Sequence, residues 1–356
     1  MEQRVERLRQ KMAEADIQAL LISHPINRRY ITGFTGSSGQ ALITEKEAIL
    51  ITDFRYVTQV KEQSPHMTLV EHQASMFQTV AEQCQRLGVT SLAFEQDHLT
   101  FAQHKQLQES LNNIATEPVS GLVEQLRIIK DASELSIMRQ AAQIADRAFE
   151  QIIQEIKPGM KETEVSLRLE VLMRQMGATY SSFDIIVASG KRSALPHGVA
   201  SDKVLEKGDL VTLDFGAYYQ GYASDITRTI MLGKPSEKQK EIYEIVLEAQ
   251  KRAVAAIRPG ITGREADAVA RDYIAQHGYG DYFGHGTGHG LGLEVHESPR
   301  LSTQGDMILT PGMVVTVEPG IYLPDFGGVR IEDDVVVTEK GYEVLTHSSK
   351  DLIVID

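Results

Sequence analysis

Apolar positions along roughly the first 120 residues switch repeatedly between two spacings. Val5, Leu8 and Met12 recur at helical intervals, and short apolar runs follow at Ala19–Ile22, Ala41–Ile43, Ala48–Ile51 and Ser91–Phe94. Runs of that length, bounded by polar residues and glycine, predict strands. The alternation predicts a compact α/β domain. Between the first two strands, Thr32–Gly39 holds glycines at 33, 36 and 39. Their spacing is not G-x-G-x-x-G, so tight turns are expected there rather than a phosphate cradle.

The pattern changes near residues 120–131. Asp131 and Glu134 stand where a capping box belongs. A helical pattern then runs through Leu135, Met138, Ala141, Ala145 and Phe149 and stops at Pro158-Gly159. Two domains are expected, 1–125 and 126–356. The second contains an internal repeat. Ile156-Lys-Pro-Gly-Met160 recurs as Ile257-Arg-Pro-Gly-Ile261, and each copy leads into an amphipathic helix. Val165, Leu169, Leu172 and Met176 share one face of the first, and Ala266, Val269, Ala270 and Tyr273 one face of the second. Each helix ends at a glycine, Gly177 and Gly278. Each copy then reaches an apolar strand closed by an acid: Leu210-Val-Thr-Leu-Asp214-Phe-Gly216 and Val314-Val-Thr-Val-Glu318-Pro-Gly320. Two such halves imply a pseudo-symmetric domain with its site in the crevice between them.

Composition narrows the function. A chain of 356 residues, 42% hydrophobic and 24% charged, reads as soluble and globular. The single cysteine, Cys84, cannot form an internal disulfide. No signal peptide or membrane-length apolar run is visible, so a cytoplasmic protein is expected, with no membrane partner. The formal net charge of −13 argues against nucleic acid as a partner.

The repeat also aligns acids with acids. Asp214 matches Glu318, and Asp225, in Ser-Asp-Ile-Thr-Arg, matches Glu332, in Ile-Glu-Asp-Asp. A carboxylate at the end of a buried strand is disfavoured, and four in one crevice repel one another. Two divalent cations would cancel their charge. Four of the 11 histidines fall between His277 and His296. The glycines flanking His289 argue against a helical zinc motif and let the backbone approach a ligand. His197, before Asp214, and His296, before Glu318, form a further matched pair, better placed to act on substrate than on metal.

The segment His285–Glu297 resembles the signature of the proline-specific pita-bread metallopeptidases, the prolidase (Xaa-Pro dipeptidase) and aminopeptidase P group. Asn27–Phe34 resembles their N-terminal domain. The resemblance implies a creatinase/prolidase-type α/β domain followed by a pseudo-two-fold pita-bread catalytic domain. It implies metal ligands Asp214, Asp225, His289, Glu318 and Glu332, with Asp214 binding one metal through both oxygens and Asp225 and Glu332 bridging. It also implies His296 on the tetrahedral intermediate, His197 opposite it, His285 lining the pocket, and Arg330 on an acid or a substrate carboxylate. Two divalent ions are expected, manganese first, with zinc, cobalt or iron as alternatives. A water between them would ionise near neutral pH and supply the nucleophile, with Glu318 as proton carrier. The expected substrate is a proline-containing di- or oligopeptide, and the expected assembly a homodimer. A methionine aminopeptidase, a metal-free creatinase-like hydrolase and an inactive peptide-binding relative are the alternatives. The retained ligands speak against the last two, and the N-domain and full histidine signature against the first.

Overall fold

The computed structural model describes residues 1–73 and 75–356. It divides into two compact units, Met1–Arg127 and Ile128–Asp356, two residues beyond the expected boundary.

The first unit is built on a six-stranded mixed sheet. Its spatial order is Thr68–Glu71, Ala48–Thr52, Gln40–Thr44, Ala19–Ile22, Ser91–Glu95, Ala115–Val119. The four inner strands are the predicted apolar runs. The two outer ones carry few buried side chains and gave no such signal. The helix Met76–Arg86 buries Phe77, Val80, Ala81 and Cys84 against Leu21, Leu42, Ile49 and Leu92. In the glycine-containing loop, Gly33 caps the Pro25–Thr32 helix at φ +77°, a left-handed conformation that glycine adopts without strain. The loop folds onto Arg28, whose guanidinium donates to the carbonyls of Gly36 and Gly39. These contacts are those of a turn, as expected.

The second unit shows the duplication directly. Its first helix, Ala132–Glu155, starts in the predicted capping box: Asp131 Oδ1 accepts from the Ser133 and Glu134 amides. That helix and Glu162–Gln175 pack Phe149, Ile152, Val165, Leu169 and Met173 onto the Leu210–Phe215 strand. Helices Glu237–Ala256 and Gly263–Gln276 pack Ile242, Val246, Ala266, Ala270 and Ile274 onto Val315 and Val335 in the second half. Of the expected faces, Val165, Leu169 and Leu172 are buried in the first helix and Ala266 and Ala270 in the second; the remaining positions differ. Met176 is a half-buried C-cap and Met173 takes the core position, while Val269 and Tyr273 are half-buried and Ile274 is buried.

Each half holds an antiparallel sheet. The first is ordered Val354–Ile355, Ile226–Leu232, Leu210–Phe215, Ile186–Ser189; only the Val354–Ile355 edge strand runs parallel to its neighbour. The second is ordered Glu297–Leu301, Gly288–Gly290, Val314–Val317, Asp333–Thr338, Gly341–Val344. Among the described residues no helix is long and apolar enough to cross a membrane.

Candidate metal centre

Register brings the acids together. Asp214 lies opposite Thr227, two residues past Asp225, where the Leu210–Phe215 and Ile226–Leu232 strands pair. In the second half Val317 lies opposite Asp333, so Glu318 and Glu332 occupy the next position along the same two strands. Each half thus offers two carboxylates at one end of an antiparallel strand pair. His289 comes from the short Gly288–Gly290 strand. A Cβ on Gly288 would lie 1.9 Å from the Thr316 carbonyl oxygen, and one on Gly290 2.1 Å from that of Ser298. Only glycine lets the neighbouring strands pass so close to the histidine.

All five residues line one cavity of about 520 Å³, as do His197, His285, His296 and Arg330. His289 Nε2 lies 3.3 Å from Glu318 Oε1 and 3.9 Å from Asp225 Oδ2. Its Nδ1 stands 3.1 Å from the Gly290 carbonyl. A proton on Nδ1 donates there, so once a cation displaces the Nε2 proton that faces Glu318 the Nε2 lone pair can serve as a ligand. Asp225, His289 and Glu332 each offer a ligand atom, all within 4.8 Å of one another.

The buried polar atoms test whether a cation fits. Asp214 Oδ1, Asp225 Oδ1 and Glu332 Oε1 are buried without a hydrogen-bond partner. Their sister oxygens or backbones are held. Arg330 donates to Asp214 Oδ2, Thr227 Oγ1 to Glu332 Oε2 at 2.6 Å, and the Asp225 amide to Asp334 Oδ2 at 3.0 Å. An unmatched buried carboxylate oxygen is costly, and three of them on residues that line one cavity are what a divalent cation would satisfy. Burial first, and then the charges of the neighbouring carboxylates, push Asp225 and Glu332 well above the ordinary carboxylate range. Burial also raises Asp214, against the opposing charge of Arg330. Glu318 goes the other way, to about 2: burial opposes its ionisation, but the hydrogen bond and charge of His289 outweigh it. The donor set fits divalent cations.

The surrounding residues take more specific positions than the sequence implied. Arg330 holds Asp214, and it also donates to Tyr322 Oη at 2.9 Å and Thr227 Oγ1 at 3.1 Å. His285 lines the cavity with both ring nitrogens engaged, Nδ1 at 2.8 Å from the Gly286 carbonyl and Nε2 at 2.7 Å from Tyr322 Oη. Burial lowers its pKa. The His296 ring stands edge-on to that of His289 with centroids 4.5 Å apart, and burial lowers its pKa as well. Sequence reasoning missed Thr227, Tyr322 and Asp334. A tyrosine four residues after Glu318 carried the one available hint, since a buried phenol needs a partner.

Acids and an imidazole set at matching ends of duplicated strand pairs are the equipment of a metal-dependent hydrolase. Residues 136–339 match the model for metallopeptidase family M24, and residues 4–129 that for the creatinase/prolidase N-terminal domain. The chain therefore belongs to the M24 metallopeptidases and is a peptidase of the pita-bread group that includes the prolidases. An Xaa-Pro dipeptidase from Bacillus anthracis is 57% identical, with a TM-score of 0.98 and 99% of each chain covered. The Xaa-Pro dipeptidase of Pyrococcus horikoshii is 45% identical over 99% of both chains. An X-Pro aminopeptidase from Thermotoga maritima is 41% identical, with a TM-score of 0.93, covering 99% of this chain and 100% of its own.

Proposed function

We propose that this metallopeptidase hydrolyses the bond between an N-terminal residue and proline, with Xaa-Pro dipeptides as preferred substrates. The observation that carries the reading is the convergence of four carboxylates beside His289, with three oxygens lacking any hydrogen bond. The proline preference draws support from the names of similar proteins, two Xaa-Pro dipeptidases and one X-Pro aminopeptidase.

In this reading Asp214, Asp225, His289, Glu318 and Glu332 would hold two divalent cations. An oxygen-rich set with one imidazole suits manganese, ahead of zinc, cobalt or iron. Such cations would supply Lewis-acid chemistry there, making a bound water acidic enough, with a pKa of about 7, to act as the nucleophile near neutral pH. Glu318 accepts a proton and delivers it to the leaving proline nitrogen. His296, whose pKa burial lowers, donates a hydrogen bond as charge develops on the carbonyl oxygen. His197 meets the substrate from the opposite wall. Phe183, Ile186, Val199 and Val295 give that cavity apolar lining, which suits the proline ring. Arg330 positions Asp214, and His285, with its nitrogens already engaged, offers substrate a ring edge. A cytoplasmic homodimer completes the proposal, on family resemblance.

The Thermotoga neighbour favours a second reading, in which longer Xaa-Pro peptides are also accepted. Purified protein, analysed for bound metal and assayed on Ala-Pro, Ala-Pro-Ala and Met-Ala-Ala, separates the readings. Cleavage of Ala-Pro alone supports the dipeptidase, and cleavage of both proline peptides the aminopeptidase. Metal-independent activity, or preference for Met-Ala-Ala, would end the proposal.

A further inference from the structure

One wall of the cavity is a loop, and a single buried carboxylate fastens both of its ends. Glu162 opens the Glu162–Gln175 helix and is fully buried. Its Oε1 accepts from the Ser189 amide and hydroxyl, each at 2.8 Å. Its Oε2 accepts from the Ser201 amide at 3.0 Å and hydroxyl at 2.7 Å. Arg192 Nε adds a charge-assisted bond at 3.0 Å. Ser189 ends the Ile186–Ser189 strand, and Ser201 lies four residues beyond His197. The intervening segment supplies Pro196, His197 and Val199 to the cavity.

The anchoring network is charge-balanced. Arg192 pairs with Glu162, while Lys203 bridges Ser189 Oγ at 2.9 Å and Asp209 Oδ2 at 2.7 Å. Within the loop, Ser193 Oγ accepts from the Gly328 amide at 2.8 Å, tying the segment to the strand that ends in Arg330. His197 itself is exposed. Its placement is therefore set by the loop backbone rather than by packing around the ring. That backbone is set by Glu162.

We propose that Glu162 is the positioning residue for His197: by clamping Ser189 and Ser201 it holds the histidine where substrate meets it. The inference rests on the reading of His197 given above. Glutamine at 162 keeps one acceptor oxygen but turns an NH2 toward one of the two serine amides, which cannot reverse their role. One end of the loop is then released while the helix stays intact.

The test is a double-mutant cycle of Glu162→Gln and His197→Ala on Ala-Pro, with bound metal and thermal midpoint measured for each variant. Glu162→Gln should lower kcat/KM by on the order of 10- to 100-fold, the range that displacement of a positioned group by about 1 Å produces. Metal content should not change. In the His197→Ala background the same substitution should cost less than about twofold. An equal cost in both backgrounds, wild-type kcat/KM in Glu162→Gln, or a loss that follows metal content would overturn the inference. Full activity in His197→Ala would instead remove the role of His197, a failure of the underlying reading that the cycle separates from failure of the clamp.

Discussion

Thr227→Val isolates one interaction behind the metal centre. Thr227 is fully buried in the Ile226–Leu232 strand. Its hydroxyl donates to Glu332 Oε2 at 2.6 Å and accepts from Arg330 Nε at 3.1 Å. Its backbone carbonyl accepts from the Glu332 amide at 3.1 Å, a bond that valine keeps. Valine also keeps the branched shape that suits a strand. The substitution therefore removes a hydroxyl and little else. A hydrogen bond to a charged group contributes about 1.5–3 kcal/mol, and loss of a group that orients a metal ligand weakens metal binding by roughly 10- to 100-fold. The two ranges agree, because about 1.4 kcal/mol is a factor of ten. Calorimetric titration of metal-free protein with Mn²⁺ measures the effect. Thr212→Val is the control: among the described residues its hydroxyl pairs with that of Thr229, at 3.4 Å, rather than with a carboxylate. A Thr227→Val affinity within twofold of wild type, or an equal loss in the control, would refute the assignment of Thr227 as the support of Glu332.

Three further outcomes are expected. Lys130 and Glu297 form a buried pair at 3.1 Å, so Lys130→Met should cost about 3 kcal/mol in urea unfolding, and adding Glu297→Gln should recover part of it; additive losses would count against the pair. Chelation should lower the thermal midpoint, and metal restored to about 100 times its dissociation constant should return about 2.7 kcal/mol; an unchanged midpoint would mean the carboxylates hold no cation. Burial depresses the pKa of His285, so the unfolded chain takes up a proton first as pH falls below about 6.5, and stability is lost from there downward. His285→Phe should lose less stability between pH 7 and pH 5 than wild type does, and an identical loss in urea unfolding would exclude His285 as a contributor.

The sequence disclosed those parts of the molecule that write themselves locally. Ala19–Ile22 is a strand because four apolar residues in a row need two covered faces, and the sheet supplies them. Asp214 and Glu318 were conspicuous because an acid ends each apolar run, and the Pro-Gly repeat paired them. The edge strands Thr68–Glu71 and Ala115–Val119 were not legible, since half-exposed strands need no apolar run. The supports of the site were hidden for a different reason. Thr227 meets Glu332, Glu162 meets Ser189 and Ser201, and Lys130 meets Glu297 across long stretches of chain, and no local pattern joins such partners. His285 shows the same limit from the other side. The signature predicted its place in the cavity, but the Tyr322 hydroxyl that occupies its Nε2 comes from a separate hairpin.

The duplicated halves also bear on when the site comes into being. Asp225 immediately precedes the Ile226–Leu232 strand of the first sheet, while His289 lies in the second sheet and Glu332 immediately precedes its Asp333–Thr338 strand. Each half has its own apolar core and so its own reason to collapse. Neither half alone gathers the three ligands. Contacts so distant in sequence form late, because the chain between them must first be ordered. Capture of a cation during refolding would thus serve as a clock. It would register the meeting of the halves and stay silent while each gathers its own strands and helices.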